Sequence, residues 1–115
     1  MVADENYVPD RGDVVWLDFV PPQARHDQGG RRPALVLSPL AYNRRSGLAI
    51  VVPITSKAKG YPFEVAVPSG AQVRGVVLSD QIFNLDLRGR RVLHLGRIND
   101  DTLDEALERA IVLFK

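Results

Sequence analysis

The sequence contains no cysteine, which excludes disulfide bonds, a thiolate nucleophile and a cysteine-ligated zinc site. Histidine is nearly absent as well, and His26 and His94 are too few and too far apart in the sequence to predict a metal site. No apolar run approaches the length of a membrane-spanning helix. Residues 1–13 are polar and acid-rich, and they lack the basic and apolar regions of a signal peptide. We therefore expect a cytoplasmic protein without a membrane segment.

Several motifs of enzyme chemistry are also missing. The chain has no glycine-rich phosphate loop of either common spacing, no paired-histidine metal motif and no Gly-x-Ser-x-Gly. A cofactor enzyme is disfavoured by these absences, and we expect neither a cofactor nor a metal. The length of 115 residues suits one domain with one core and is too short for two, so residues 1–115 are taken as a single domain.

Charge is distributed unevenly along the chain, although the net charge is only +1. Residues 25–60 carry seven Lys or Arg against one acid, whereas residues 1–24 and 100–115 each carry five acids. A basic surface built from the middle segment would attract polyanions, while a solvated basic face explains the same pattern without any partner. The seven basic residues are Arg25, Arg31, Arg32, Arg44, Arg45, Lys57 and Lys59.

The hydropathy pattern predicts many short strands and one clear helix. Apolar residues alternate in residues 13–20, and further strands are predicted at 31–38, 48–52, 63–67, 75–83 (one strand, or two joined by a bend) and 91–95. Ser38 before Pro39 resembles a helix N-cap, so a short helix ending at Gly47 is expected after the second strand. A second helix, capped by Asp100 or Asp101, places apolar residues through Ile111 and Phe114 along one face. Together these elements predict a mainly β protein, a small and strongly bent antiparallel barrel with a C-terminal α-helix.

Cations and a hydroxyl lie at strand ends in the basic middle segment. Arg31 and Arg32 lead directly into one predicted strand, and Thr55 closes another just before Lys57 and Lys59. Guanidinium groups always carry charge and are rarely buried unpaired, so an anionic partner is expected beside them. Arg, Lys and hydroxyl groups suit the binding of phosphate and the stabilisation of charge that develops on it.

RNA can be cleaved by such groups because it carries its own nucleophile, the 2′-hydroxyl. The protein must align that hydroxyl with the adjacent phosphorus, help to remove its proton, neutralise the phosphorane oxygens and help to protonate the departing 5′-oxygen. Arg32 is a candidate for neutralising the oxygens, and Thr55 can donate a hydrogen bond to them. His26 or a water molecule could act as the base.

A family resemblance rests on motifs spread over nearly the whole chain. They are Tyr7-Val8-Pro9-Asp10 with Gly12-Asp13, Trp16 with Asp18-Phe19, Arg32-Pro33-Ala34 with Leu37-Ser38-Pro39, Tyr42-Asn43, Val52-Pro53-Ile54-Thr55, Lys59 to Val65, and Asp80-Gln81. In this order and spacing they resemble the MazF/PemK family. The resemblance implies a type II toxin: a metal-independent, sequence-specific endoribonuclease that cuts single-stranded RNA and leaves a 2′,3′-cyclic phosphate and a 5′-hydroxyl. It also implies a homodimeric SH3-like barrel of the CcdB/PemK type, inhibited by an acidic antitoxin of the MazE type.

The resemblance assigns roles to individual residues. Its catalytic Arg and Thr correspond to Arg32 and Thr55, and Asp27 stands where relatives commonly have Glu. Arg31 stands where some relatives have His. RNA contacts are expected from six residues: Arg31, Lys57, Lys59, Tyr61, Gln81 and His26. Each also has a structural explanation, because Thr55 can begin a turn, Gln81 can bind the barrel backbone, and the lysines with Tyr61 can form an exposed hairpin tip.

Two other functions are compatible with the same fold. A non-catalytic toxin could bind a protein target, as the related CcdB branch binds DNA gyrase through a Trp-Gly-Ile C-terminus, whereas this sequence ends Val112-Leu113-Phe114-Lys115. A degenerate family member could act only as a sink for antitoxin. The presence of both Arg32 and Thr55 favours the ribonuclease.

Overall fold

A computed structural model describes residues 6–19 and 30–115. The strands are β1 (Asp13–Asp18), β2 (Arg31–Val36), β3 (Leu48–Thr55), β4 (Glu64–Ala66), β5 (Val76–Leu78), β6 (Phe83–Asp86) and β7 (Val92–Arg97). The helices are α1 (Leu40–Ser46) and α2 (Asp100–Ile111), and a 3-10 turn follows at Val112–Phe114. Within these ranges, neither helix is long and apolar enough to cross a membrane.

The alternation predicted for the first strand is confirmed. Val14 packs into one hydrophobic cluster, while Val15 and Leu17 pack into a second cluster on the other face of the sheet. Both faces of β1 are therefore covered, which explains why its apolar residues occupy odd and even positions alike. The strand ends at Asp18, before the predicted end at residue 20.

All strand pairs in the sheet are antiparallel, in the order β4-β5-β3-β2-β1-β7. β5 and β6 pair with the two halves of β3. The segment predicted at residues 75–83 contains β5, but its second half is wrong, because residues 79–82 form the bend and β6 runs from Phe83 to Asp86, beyond the predicted end. The predicted fold class is confirmed, but in the part of the chain that the structure describes no pairing of β4 with β7 closes the sheet into a barrel. β4 has only three residues and packs against α2, so the helix covers this end of the sheet.

The short helix after the second strand is confirmed, but its predicted cap is wrong. The helix follows Pro39 without a side-chain cap and ends at Gly47, whose φ of 73° is left-handed. Ser38 is instead buried, where it donates to Asn43 Oδ1 (2.5 Å) and accepts from the backbone N–H of Ile50 (2.8 Å). A buried hydroxyl needs partners, and this one joins α1 to β3.

The C-terminal helix differs from its prediction at both ends. Asn99 accepts a hydrogen bond from the N–H of Thr102 (2.8 Å) and is the cap, whereas Asp100 and Asp101 lie in the first turn, where carboxylates favour the helix dipole. Leu103, Ala106 and Ala110 are buried as expected. Ile111, the last residue of α2, and Phe114, in the 3-10 turn that follows, are exposed by 49% and 77%, so the prediction that they share the buried face is wrong.

Asp13 ties the start of the described chain to β7. Its carboxylate accepts hydrogen bonds from the Tyr7 hydroxyl (2.7 Å), the Asp10 N–H (3.0 Å) and Arg97 Nη1 (2.8 Å). Burial and the hydrogen bond to Asp13 raise the pKa of the Tyr7 hydroxyl, which therefore remains a donor. His94 also belongs to this cluster, with its ring edge-on to Tyr7.

Candidate active-site cleft

The antiparallel pairing of β2 with β3 brings the beginning of one strand beside the end of the other. The register pairs Ala34 with Pro53 and Leu35 with Val52. Extending this register by two residues places Arg32 opposite Thr55, the two residues assigned to catalysis by resemblance. Cross-strand neighbours in such a pair project from the same face of the sheet, so both side chains can reach one bound group.

A cleft of about 450 Å³ opens at this position. Its lining unites four predicted site residues, Arg31, Arg32, Thr55 and Lys57, with one residue that was not predicted, Arg74. The other lining residues are Pro33, Pro53, Ile54 and Ser56. The lining therefore contains four cations and no carboxylate, a charge pattern that attracts an anion.

Arg32 is exposed and is oriented by an aromatic ring. Its Cζ lies 5.9 Å from the centroid of the Phe19 ring, within the range of a cation–π contact. Phe19 in turn contacts Phe83 edge-on, with ring centroids 5.0 Å apart. Within residues 6–19 and 30–115, no carboxylate forms an ion pair with Arg32. The guanidinium is thus held by a ring face that leaves its N–H groups available for a phosphate.

Arg31 has a different environment. Its Nε lies 3.6 Å from Oδ1 of Asp18, a carboxylate that is completely buried at the end of β1. Part of the Arg31 charge therefore balances Asp18, which agrees with a structural role for that carboxylate. We infer that Arg31 contributes less positive potential to the cleft than Arg32.

The Thr55 hydroxyl accepts one hydrogen bond within a turn and keeps its O–H available as a donor. Its Oγ1 accepts a hydrogen bond from the N–H of Lys57 (3.1 Å), which forms the turn that was the structural explanation for this residue. A hydroxyl has two acceptor lone pairs and one donor, so this bond leaves the O–H able to donate. The turn therefore fixes the oxygen while its hydrogen can point at a bound phosphate.

The loop that follows Thr55 is fixed by Glu64. The carboxylate accepts hydrogen bonds from the N–H groups of Lys59 (3.0 Å) and Gly60 (2.9 Å). Arg109 of α2 also donates to the carbonyl groups of Pro62 and Glu64. Lys59 and Tyr61, both predicted to contact RNA, are exposed on this loop and do not line the cleft.

The remaining predicted residues lie elsewhere. Gln81 is exposed in the bend after β5, where its N–H donates to the Leu78 carbonyl, and it does not line the cleft. His26 and Asp27 lie outside the described residues. Sequence analysis missed Phe19 and Arg74 as site residues. An arginine directly before a glycine and a strand was the only signal for Arg74.

Comparison with known proteins identifies the family. The chain matches a family model described as PemK-like, MazF-like toxin of type II toxin-antitoxin system over residues 10–114. It is 44% identical to Endoribonuclease toxin MazF of Escherichia coli strain K12 over 97 residues, which cover 84% of this chain and 86% of that protein. It is 36% identical to Endoribonuclease EndoA of Bacillus subtilis over 111 residues, which cover 90% and 94%.

Solved structures share this fold at high identity. MazF from Deinococcus radiodurans has a TM-score of 0.84 and 53% identity, and the match covers 95% of this chain and 98% of that one. A MazE-MazF structure from the same organism has a TM-score of 0.83 and 49% identity, covering 95% and 97%. The resemblance inferred from the sequence is confirmed, and the chain belongs to the PemK-like, MazF-like toxins of type II toxin-antitoxin systems.

Proposed function

We propose that this toxin is a metal-independent endoribonuclease that cleaves single-stranded RNA in the cleft between β2 and β3. The observation that carries the proposal is the cleft that Arg32 and Thr55 both line, in which every charged lining residue is a cation. The reaction is attack of a 2′-hydroxyl on the adjacent phosphorus, which releases the 5′-oxygen and leaves a 2′,3′-cyclic phosphate. The curated relatives support this assignment, because they are named endoribonucleases.

The proposed roles follow from the chemistry of each group. Negative charge builds up on the non-bridging oxygens as the phosphorane forms, and a planar guanidinium can donate two parallel hydrogen bonds to them. Arg32 takes this role, and it does not act as the base because guanidinium is effectively never deprotonated in proteins. The Thr55 O–H donates to the same oxygens. His26 or a water molecule stays the prediction for removal of the 2′-proton, and the catalytic role of Asp27 also stays a prediction.

The decisive experiment uses a long, defined single-stranded RNA and excess EDTA. We expect the wild-type toxin to produce discrete cuts whose fragments carry a 2′,3′-cyclic phosphate and a 5′-hydroxyl. Mapping the fragment ends would also give the recognition motif. If folded, antitoxin-free protein left an RNA containing all short motifs intact, the ribonuclease would be rejected and a protein-binding toxin favoured.

We propose further that the toxin is a homodimer acting in the cytoplasm and inhibited by an acidic antitoxin. Three similar solved structures are MazE-MazF structures, which supports a partner of that type. A disordered acidic segment would lie in the cleft at Arg32 and Lys57, continue past Lys59 on the adjoining loop, and become ordered on binding. This path is the proposed groove. Light scattering that gave a monomer mass at micromolar concentration would contradict the homodimer.

Charge reversal tests the proposed groove. In a double variant with Lys57→Glu and Lys59→Glu, we expect the affinity for both RNA and an acidic antitoxin peptide to fall by at least tenfold at low salt, because attraction becomes repulsion. Both side chains are exposed, so the fold should be retained. Isothermal titration at two salt concentrations would measure the effect. Affinities equal to those of the wild type would place the groove elsewhere.

A further inference from the structure

Arg74 lies at the end of the hairpin loop that joins β4 to β5. The loop is closed by a hydrogen bond from the Val67 N–H to the Gly75 carbonyl (2.9 Å), and Val76 then pairs with Thr55 of β3. Arg74 is therefore two residues from the strand position that faces Thr55. This connection places a guanidinium at the cleft from a part of the sequence far from the other site residues.

Gly75 holds the base of this loop directly against the catalytic strand. Its φ is +115°, and a Cβ at this position would lie 1.9 Å from the Thr55 carbonyl oxygen and 2.8 Å from Ser56 Cα. Only glycine permits such a close backbone approach. The backbone next to Arg74 is consequently fixed relative to Thr55, which leaves the Arg74 side chain itself free to adapt to a ligand.

No carboxylate in the described part of the chain neutralises Arg74. Over the described ranges its side chain forms neither a hydrogen bond nor an ion pair, in contrast to Arg31, Arg88, Arg97 and Arg109. It also lines a second concavity of about 440 Å³ inside the hairpin loop, so it lies where this concavity and the cleft adjoin. An unpaired guanidinium at such a boundary suits an anionic chain that crosses from one to the other.

The strand order separates the backbone of Arg74 from that of Arg32. β5, β3 and β2 are consecutive in the sheet, so the backbone of Val76 is two strand spacings, roughly 10 Å, from the backbone of Arg32, and Arg74 lies two residues further into the hairpin loop. Arg74 therefore borders the cleft on the side of the second concavity. An RNA strand that places one phosphate at Arg32 and runs toward the hairpin loop would bring its next phosphate to Arg74.

We propose that Arg74 is a positioning residue that binds the RNA phosphate next to the scissile one. It fixes which phosphodiester lies between Arg32 and Thr55 and directs the strand out of the cleft toward the hairpin loop. The inference rests on the proposed ribonuclease function. Because Arg74 does not contact the reacting phosphate, its contribution is made on binding and is present equally in the ground and transition states.

The kinetic test compares Arg74→Ala with the wild type on a short RNA that contains one cleavage site. We expect KM to rise about tenfold, the loss of one charge-assisted contact, while kcat stays within about twofold. The dependence of binding on salt should become shallower by about one phosphate contact. Arg74→Lys keeps the charge but loses the paired N–H donors of the planar guanidinium, so it should bind RNA more tightly than Arg74→Ala and less tightly than the wild type.

Arg44→Ala is the matched control. Arg44 is exposed in α1, which lies between the end of β2 and the start of β3, at the opposite end of that strand pair from the cleft. The Arg44→Ala substitution removes the same charge from the protein without altering the cleft. We expect no change in KM or in the salt dependence for this variant.

A binding test locates the phosphate and separates this inference from the ribonuclease proposal. The RNA carries a 2′-deoxy nucleotide at the cut, which prevents cleavage, and a neutral methylphosphonate at one linkage at a time. We expect the wild type to lose about tenfold affinity at one linkage beside the cut, and Arg74→Ala to be insensitive to that replacement. If the wild type failed to cleave RNA, the same scan along an unmodified RNA would still detect coupling of Arg74 to one linkage. That result would keep the phosphate contact, while the proposed function and the position of that phosphate beside a cut would both be rejected.

Three results would overturn the inference. Equal KM and salt dependence in Arg74→Ala and the wild type would show that no phosphate is bound. A fall in kcat with unchanged KM, or coupling only to the scissile linkage, would move Arg74 to the reacting phosphate. Unchanged RNA binding with weaker binding of an acidic antitoxin peptide would assign Arg74 to the protein partner.

Discussion

Substitution of Arg32 by Ala is expected to lower kcat for RNA cleavage by about 10²–10³-fold, the effect of removing one main donor to a developing oxyanion. The expected change in stability is small, because Arg32 is exposed and its cation–π contact with Phe19 contributes only about 0.5–1 kcal/mol. Initial rates on a single-site RNA in EDTA measure the loss, and urea unfolding verifies the fold. KM should change less than kcat because the charge that Arg32 stabilises is greatest in the transition state.

Two variants control this experiment. Arg32→Lys keeps the positive charge but cannot donate two parallel hydrogen bonds, so we expect an intermediate rate. Arg44→Ala removes a charge from the far end of β2 and β3 and should cleave at the wild-type rate. Cleavage by Arg32→Ala at the wild-type rate would show that Arg32 does not stabilise the transition state. Another group would then have to neutralise the phosphorane oxygens.

The pair formed by Arg32 and Thr55 could be anticipated from the sequence because local patterns determine it. Short continuous apolar runs define β2 and β3, the segment between them is short, and antiparallel neighbours must bring one strand's start beside the other's end. The order of the motifs along the chain also indicated the family. The fold class and the pairing of Arg32 with Thr55 in one candidate site could therefore be predicted from the sequence.

The position of Arg74 at the cleft and the hydrogen bonds of Ser38 could not be predicted from the sequence. Arg74 reaches the cleft only because β5 pairs with the far edge of β3 and Gly75 abuts the Thr55 carbonyl, and neither contact leaves a local sequence pattern. Ser38 has the residue type of a helix cap, yet tertiary hydrogen bonds to Asn43 and Ile50 compete successfully for its hydroxyl. Side chains that serve distant partners are the ones that sequence patterns misassign.

Gly75→Ala is expected to reduce both stability and activity, through one contact. An alanine at φ +115° costs about 1–2 kcal/mol, and relieving the approach of its Cβ to the Thr55 carbonyl adds about 1–3 kcal/mol of strain. We therefore expect the free energy of unfolding to fall by about 2–5 kcal/mol in urea titrations. The hairpin must move away from β3, or the carbonyl of Thr55 must move, and either change alters the site.

Gly70→Ala separates backbone strain from the clash, because Gly70 lies in the same hairpin loop with φ +90° and a Cβ added there would have no neighbouring atom within 4 Å. It should lose only the conformational cost of about 1–2 kcal/mol. In Gly75→Ala, measured where the protein is still folded, displacement of Thr55 by about 1 Å should lower kcat by up to about 10²-fold. Equal stability losses in the two variants, together with unchanged kcat in Gly75→Ala, would show that Gly75 does not fix the catalytic strand. A larger loss in Gly75→Ala, accompanied by a fall in kcat, would show that contact between the hairpin and the Thr55 carbonyl holds Thr55 in place. The readout is kcat and not KM, because displacement of the adjacent Arg74 would raise KM.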